Sequence, residues 1–343
     1  MSGVWPRAAA AVVVAAVLAA APFVLKPSGV YLMSYWAVTT IAALGLNLTL
    51  GYAGQISLAQ GAFVGIGAYT VATATAHSVP FAAAFVLAGA LSFVIGWLLG
   101  YPALRVQHHY LAFVTLAFST VAFLVMRNEE WLTGGVYGIN GIARSNLWDI
   151  ATLRELFGWS AAQARAVDFY VISLAMLALC SAVLWWIIRS PWGRAFVALR
   201  ENPTRALSLG VDTRRYTLMA FAIGSCFGGC AGAVYAPLVQ FIEPNSFALG
   251  LSLNLLLMVI VGGSGYFLGP FAGGLVAILA PEWLRFTEGY YLLIYALLVM
   301  VLMAICPTGL IGLAERAAAA LSRLRAARAT PATGTSGTET ALP

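Results

Sequence analysis

The chain has 343 residues, of which 62% are hydrophobic and only 9% are charged, and its mean hydropathy is +0.90. Soluble globular domains carry about 25% charged residues, so this composition excludes a soluble enzyme or a soluble binding module. Between Lys26 and Arg105 there is no Lys, Arg, Asp or Glu. A helix needs roughly 20 apolar residues to cross a bilayer, so this interval alone holds three or four crossings, and an integral membrane protein is predicted.

The basic residues are clustered. A net charge of +6 is compatible with binding to nucleic acid or with a membrane protein that has basic loops, and the positions of the clusters distinguish the two. They concentrate in 189–215 and 316–328, each beside an apolar segment. Lys and Arg accumulate in the cytoplasmic loops of membrane proteins, so the charge indicates membrane topology, with lipid as the surrounding partner, and no nucleic acid. The cysteines all lie inside apolar runs, where they pack as small apolar residues, and no metal site is predicted.

Apolar runs bounded by charged residues, prolines or glycines predict an all-α polytopic membrane protein with about ten transmembrane helices, within a range of roughly eight to ten. The predicted crossings are 8–25, 30–50, 56–76, 80–100, 109–127, 168–188, 216–239, 249–263, 269–284 and 290–306. The first run is either a cleaved signal peptide or an uncleaved helix, and the crossings that follow it favour the helix. The Gly-rich stretch 262–274 is either a turn between two helices or a break within one.

The distribution of charge predicts the orientation of these crossings. The segment 128–168 has three Arg against five acidic residues, whereas 189–215 has six Arg against two. The positive-inside bias therefore places 128–168 outside and 189–215 in the cytoplasm, and the number of crossings places both termini in the cytoplasm. Residues 1–313 then form a transmembrane domain, and 314–343 form a cytoplasmic C-terminal helix and a disordered tail.

A first motif, 45–69, places Asn47, Gln55, Ser57 and Gln60 among glycines at membrane depth. Unpaired amides are costly in hydrocarbon, so these groups face protein, water or a substrate. One interpretation is that they join helices as polar packing residues. The other is a broken helix that lines a substrate pathway, as in many transporters.

A second motif, 253–274, pairs Asn254 with the Gly-rich sequence at Gly262, Gly263 and Ser264. Both motifs join an Asn-Leu helix to a Gly-rich break, one in each half of the chain, which hints at inverted repeats. We expect the two motifs to meet near the middle of the bilayer if they line a pathway. The predicted pathway residues are Asn47, Gln55, Ser57, Gln60, Asn254, Gly262, Gly263 and Ser264.

The loop 190–216 contains helix-starting and helix-ending residues that a solvated, positively charged loop does not need. Its Asn202-Pro203 predicts the start of a short helix, and Gly210 predicts the end of that helix. Two short helices are typical of a docking element for a cytoplasmic partner. A P-loop requires a Gly-Lys-Ser/Thr sequence, yet the only lysine in the chain is Lys26. No catalytic constellation is visible, so an enzyme is not predicted, and ATP would have to bind to separate subunits.

Several motifs resemble those of one known family. The sequence Gly-Leu-Asn-Leu-Thr-Leu-Gly-Tyr-Ala-Gly-Gln-Ile-Ser-Leu at 45–58 resembles the signature of the branched-chain amino-acid (leucine/isoleucine/valine) ABC transporter permeases. The similarity continues through Tyr-Leu-Ala-Phe-Val-Thr-Leu at 110–116, Leu-Thr-Gly-Gly-Val-Tyr-Gly-Ile at 132–139, Ala-Leu-Arg-Glu-Asn at 198–202 and Pro-Thr-Gly-Leu at 307–310. It covers about 35–313, and the order of the motifs is similar to that of the M-type member of the permease pair.

The resemblance implies an importer in a bacterial inner membrane that carries branched-chain amino acids, or a related small polar solute, from the periplasm to the cytoplasm. A periplasmic substrate-binding protein would deliver the substrate to two homologous permeases, and two cytoplasmic ATPase subunits would drive them. No cofactor is then expected in this chain, because ATP binds to the partners. The loop 189–215 corresponds to the coupling loop. The residues expected to couple to the ATPase are Arg200, Glu201, Asn202, Arg205 and Gly210.

Three stretches depart from the family pattern, and the second of them, 118–121, bears on the substrate. Gln60 stands where the family commonly has His, 118–121 replaces a stretch that often carries an acidic or amide residue, and Cys306 precedes Pro307 where Arg is usual. Relatives also carry urea, amides and aromatic acids, so these substrates are the alternative. A stand-alone secondary carrier is a further alternative. It usually keeps an ionisable group inside the membrane, whereas the acidic residues here cluster at the ends of the predicted helices.

Overall fold

The computed structural model describes residues 20–103, 110–142 and 160–284, together with positions 18, 144, 290, 293, 294, 296, 297, 300, 301, 309–313 and 316. Most of the predicted crossings 8–25 and 290–306, and the C-terminal helix and tail, lie outside the described residues.

The described chain is helical nearly throughout, which confirms the all-α prediction. The helices are α1 Pro27–Leu46, α2 Gln60–Ala76, α3 Phe81–Ala103, α4 Tyr110–Asn128, α5 Glu130–Thr133, α6 Ala161–Arg189, α7 Pro191–Glu201, α8 Pro203–Ser208, α9 Thr213–Val239, α10 Leu249–Gly262 and α11 Gly269–Trp283. A π-helical turn, Asn47–Tyr52, follows α1, and 3₁₀ turns occupy Gly135–Tyr137 and Pro244–Phe247. The described residues include one small sheet, in which β1 (Ile139–Asn140) pairs antiparallel with β2 (Phe241–Ile242).

Six helical segments in the described part of the chain are long and apolar enough to cross a membrane. They are Pro27–Tyr52, Phe81–Pro102, Leu111–Asn128, Ala161–Arg189, Thr213–Val239 and Pro244–Gly262. These segments confirm a polytopic membrane protein, while the total of ten crossings stays a prediction. The helices α2 and α11, with 17 and 15 residues, are shorter than a straight crossing of about 20 residues.

Helix α6 begins earlier than the predicted crossing 168–188. Its first residue is Ala161, and the Ser160 side chain caps the helix by accepting a hydrogen bond from the Gln163 main-chain N–H at 3.2 Å. Asp168, assigned by the sequence to a solvated outer segment, lies inside this helix and is only 2% exposed. The predicted crossing began at Asp168, so the first turns of the helix and the burial of this carboxylate were missed, because the sequence shows the charge but not the cap that precedes it.

Helix α9 lies at the centre of the bundle and packs against α1, α2 and α3. Of the most apolar 18-residue stretch in each helix, 78% is buried in α9 and 72% in the segment Pro27–Tyr52 that contains α1. In α3 and in α4 only 28% of that stretch is buried. Gly224, Gly228 and Gly232 lie on one face of α9 and permit this packing. A Cβ at Gly232 would collide with the main chain of Val64 in α2, and a Cβ at Gly228 would lie 2.8 Å from Phe63 Cβ. The outer helices α3 and α4 leave most of their apolar surface exposed on the isolated chain.

Helices α10 and α11 form a tight antiparallel hairpin, which settles the nature of the Gly-rich stretch as a turn between two helices. The main chain of Gly262 lies against that of Gly269, and Met258 lies against Gly273. The indole N–H of Trp36 in α1 donates to the Phe271 carbonyl at 3.2 Å. The hairpin is thereby fixed to α1, with its turn at 263–268 next to the π-helical turn.

Candidate functional site

The π-helical turn after α1 and the α10–α11 turn are joined by the side chain of Asn47. Its Nδ2 donates to the Tyr266 carbonyl at 2.9 Å, and its Oδ1 accepts from the Gly265 main-chain N–H at 2.9 Å. Asn47 is fully buried, so both ends of the amide are satisfied without water. The two sequence motifs therefore meet, as expected, although they meet at the end of α1 and of the hairpin.

Helix α7 contacts the same place through Arg200. The guanidinium Nη1 donates to the Gly51 carbonyl in the π-helical turn. Gly265 has a φ of +86°, and a Cβ there would collide with the Arg200 guanidinium. On the other side, the Cα of Arg200 would lie 3.4 Å from a Cβ at Gly54. We call the contact of Asn47, Gly51, Arg200 and Gly265 the polar junction.

The sequence explains why the 190–212 loop folds as two helices beside this junction. Ser190 caps α7 by accepting from the Trp192 N–H at 3.2 Å, and Asn202 caps α8 by accepting from the Arg205 N–H at 3.0 Å. Phe196 and Leu199 are buried and hold α7 against the bundle. Gly210 adopts a φ of +82°, which ends the turn after α8, as its position in the sequence predicted.

The other predicted coupling residues point away from the bundle. Glu201 and Arg205 are exposed, and Asn202 is half-buried because it caps α8. Beside them, Leu207 and Leu209 are 61% and 82% exposed. Two large apolar side chains at the surface of a charged loop are typical of a contact with another protein. The sequence had not singled out these leucines, since nothing in their spacing marks them as exposed.

The segment 53–59 between the π-helical turn and α2 alternates buried and exposed side chains. Gln55 and Ser57 are each 2% exposed, whereas Ile56 is 49% exposed. The Gln55 amide nitrogen donates to the Thr217 carbonyl of α9 at 3.2 Å, but its Oε1 is buried without a partner. The Ser57 hydroxyl accepts from the Ala59 N–H at 3.3 Å. Both predicted pathway residues are therefore enclosed by this chain.

Gln60 joins three helices. Its Nε2 donates to the Ala42 carbonyl of α1 at 2.9 Å and to the Gly224 carbonyl of α9 at 3.1 Å. Because the side chain is 2% exposed, it fixes the packing of α1, α2 and α9. This geometry matches the helix-packing interpretation of the first motif.

At the start of the second motif the structure separates two nearby polar residues of α10. Ser252, which the sequence did not single out, accepts from the Gly61 main-chain N–H at 2.8 Å and is fully buried. Asn254, which it did single out, is exposed on α10. Gly262 and Gly263 are buried in the hairpin turn and Ser264 is half-buried. Asn254 therefore lies apart from the polar junction, on a face that the isolated chain leaves open.

The polar junction is held by hydrogen bonds from one amide, one guanidinium and the main chain. Within the described ranges, no three His, Cys, Asp or Glu residues are grouped as metal ligands. Such a site can hold helix ends together. A multi-helix membrane domain with a two-helix loop bonded to its interior is the architecture expected of the membrane-spanning subunit of a transporter.

Comparison with known proteins identifies the particular family. Residues 29–304 match the model of the family described as "Branched-chain amino acid transport system / permease component". The chain belongs to this family and is a membrane permease subunit of an ABC importer. No solved structure matches it.

Three relatives show the range of the similarity. The LivM permease of the high-affinity branched-chain amino acid transport system from Escherichia coli (strain K12) is 32% identical over 305 residues, which cover 84% of this chain and 71% of the relative. The LivH permease from Salmonella typhimurium is 28% identical and covers 84% of this chain and 94% of the relative. The LsrC permease of the autoinducer 2 import system from Enterobacter is 26% identical over 72% of this chain and 71% of the relative.

Proposed function

We propose that this chain forms half of an import pathway for branched-chain amino acids in a bacterial inner membrane. Its partners are a second homologous permease, a periplasmic binding protein and two cytoplasmic ATPase subunits that bind the ATP. The names of the LivM and LivH relatives support this substrate and the pairing of two permeases. The positive-inside bias supports an orientation with both termini and α7–α8 in the cytoplasm.

The observation that carries the proposal is the bond between Arg200 and Gly51. Leu207 and Leu209 present an apolar surface at α8, where an ATPase would bind. Arg200, on the neighbouring helix α7, reaches the π-helical turn and the Gly265 turn. A displacement of α7 and α8 by the ATPase would therefore act directly on the ends of α1 and of the α10–α11 hairpin. Arg200 serves as the link to the membrane domain, and Arg205 and Glu201 belong to the docking surface.

The pathway itself is proposed to lie between the two permeases, at the open face that carries Asn254. Gln55, Ser57 and Gln60 are enclosed within this chain, and Asn47 binds the hairpin turn. These residues would shape the pathway by fixing α1 and α2 and would contact a substrate only after the junction opens. An exposed amide on an otherwise apolar helix suits an apolar amino acid, whose charged ends need transient hydrogen bonds.

The test is reconstitution of this chain with the second permease, the ATPases and the binding protein in proteoliposomes. We expect ATP-dependent uptake of labelled leucine that unlabelled isoleucine and valine inhibit and that urea and phenylalanine leave unchanged. Omission of the ATPases serves as the control and should abolish uptake. If urea or phenylalanine inhibits uptake and isoleucine and valine do not, the proposed substrate class is wrong. Uptake without the ATPases would contradict an ATP-driven mechanism.

A further inference from the structure

A basic cavity lies at the other end of the bundle from the polar junction, among the first turns of α1 and α6 and the last turn of α9. It has a volume of about 290 Å³, and its lining includes Pro27, Tyr31, Arg144, Arg165, Phe169 and Leu238. This volume is at the lower end of the roughly 300–1,000 Å³ that ligand pockets occupy. No acidic residue is found among the described residues that line it.

Arg144 is held in a fixed position at the wall of this cavity. Its Nε donates to the Pro237 carbonyl at 3.2 Å, and its Nη2 donates to the Leu238 carbonyl at 3.1 Å. The guanidinium carbon lies 6.0 Å from the centroid of the Phe169 ring. A guanidinium has five N–H donors, so these two bonds to the end of α9 leave three for another acceptor.

The cavity contains more positive charge than is needed to bond the last carbonyl groups of α9, because Arg165 lines it in addition to Arg144. Burial lowers the pKa of Arg144, and the charge of Arg165 lowers it further. Pro27 is the first residue of α1, and α6 begins at Ala161, so the positive ends of two helix dipoles face this region, while Arg144 bonds to the negative end of α9. Asp168 of α6 is not among the lining residues and has an interaction of its own. A bound anion would stabilise this arrangement.

We propose that this cavity binds the phosphate group of an anionic membrane phospholipid. Three helices that are long and apolar enough to cross a membrane have an end at the cavity, and the ends of such helices reach the headgroup region of a bilayer. Tyr31 there is 40% exposed, and tyrosines are enriched at this interface. Arginine side chains bind phosphate groups through strong charge-assisted hydrogen bonds, often two in parallel. A zwitterionic amino acid fits less well, because none of the described lining residues can accept its ammonium group as an ion pair.

The experiment measures lipid binding to the purified, delipidated full chain in detergent by native mass spectrometry. The ligands are phosphatidylglycerol, phosphatidylethanolamine and inorganic phosphate. We expect phosphatidylglycerol to bind more tightly than the other two. Arg144→Gln and Arg165→Gln should each weaken its binding by about tenfold, the loss of one charge-assisted hydrogen bond. Arg165 is exposed, so its replacement leaves the cap of α9 intact if Arg144→Gln fails to fold.

Arg189→Gln is the matched control, because Arg189 is at the opposite end of α6, 4.2 Å from the centroid of the Trp185 ring. This variant should bind phosphatidylglycerol as the wild type does. Equal binding of the two lipids, or unchanged binding in Arg165→Gln, would overturn the proposal. If inorganic phosphate binds as tightly as phosphatidylglycerol, the proposal that the bound anion is a lipid headgroup is wrong. The binding is measured without transport, so its outcome is independent of the proposed function.

Discussion

The Arg200 guanidinium donates a hydrogen bond to the main-chain oxygen of Gly51, which lies 149 positions earlier in the chain. This bond joins a helix outside the membrane-spanning segments to the end of α1. Asn47, one turn before Gly51, binds Gly265 and Tyr266 in the hairpin turn. A single contact region therefore connects α7, α1 and the α10–α11 hairpin, and a movement of α7 must be transmitted to both.

Gly265 is the position where a small substitution should disturb this region most. Its φ of +86° is unfavourable for other residues, and a Cβ would collide with Arg200. We expect Gly265→Ala to lower the free energy of unfolding by about 1–3 kcal/mol and to abolish uptake in proteoliposomes. Gly250→Ala is the matched control, because a Cβ there meets nothing within 4 Å. Similar melting temperatures and uptake for the two variants would contradict the close contact at Gly265.

Asn47→Ala should destabilise the fold because it removes the side chain that pairs two partly buried main-chain groups. The Gly265 N–H and the Tyr266 carbonyl lose their partner, and the total cost is about 1–3 kcal/mol because water can reach part of this region. The melting temperature in detergent measures the effect. Asn254→Ala is the control, since Asn254 is exposed and such a change shifts stability by about 0.5 kcal/mol or less. If both variants have the same melting temperature, Asn47 does not hold the hairpin turn to α1.

The exposed leucines of the α8 region should be needed for attachment of the ATPases. Leu207→Asp and Leu209→Asp place a charge in an apolar contact, so we expect the permease to insert normally but to lose the ATPases during affinity purification. Leu132→Asp is the control, because Leu132 is also exposed, at 41%, and lies near β1 on the segment predicted to be outside. Retention of the ATPases by both α8-region variants would remove these leucines from the docking surface.

The proposed orientation is tested by cysteine labelling in a background without the native cysteines. Tyr137, 83% exposed, is predicted to be outside, and Ser208 in α8, exposed as well, is predicted to be inside. A membrane-impermeant maleimide should label Tyr137→Cys in intact cells and should label Ser208→Cys only after the cells are opened. The opposite pattern would reverse the topology.

The helices were largely predictable because apolar runs and helix-ending residues are local signals. The predicted crossing 216–239 corresponds to α9, Thr213–Val239, and 249–263 corresponds to α10, Leu249–Gly262. The glycine face of α9 was also predictable, since a four-residue spacing puts its members on one side of a helix.

The roles of single residues were less predictable, because they depend on contacts between distant segments. Ser252 and Asn254 are both polar residues of α10, but only the three-dimensional packing turns Ser252 inward and leaves Asn254 exposed. Arg200 was predicted to contact the ATPase. The structure bonds it to Gly51, a contact that no sequence spacing indicates.

Coupling of ATP hydrolysis to transport through Arg200 is tested by measuring leucine uptake and ATP hydrolysis in the same proteoliposomes. Arg200→Gln removes the charged donor to Gly51, and Arg194→Gln removes an exposed arginine from the same helix. We expect Arg200→Gln to retain the ATPases and to hydrolyse ATP while leucine uptake falls at least tenfold, which corresponds to about 1.4 kcal/mol or more of lost coupling. Arg194→Gln should stay near wild type. An Arg200→Gln variant with the wild-type ratio of leucine transported to ATP hydrolysed would contradict a coupling role for Arg200.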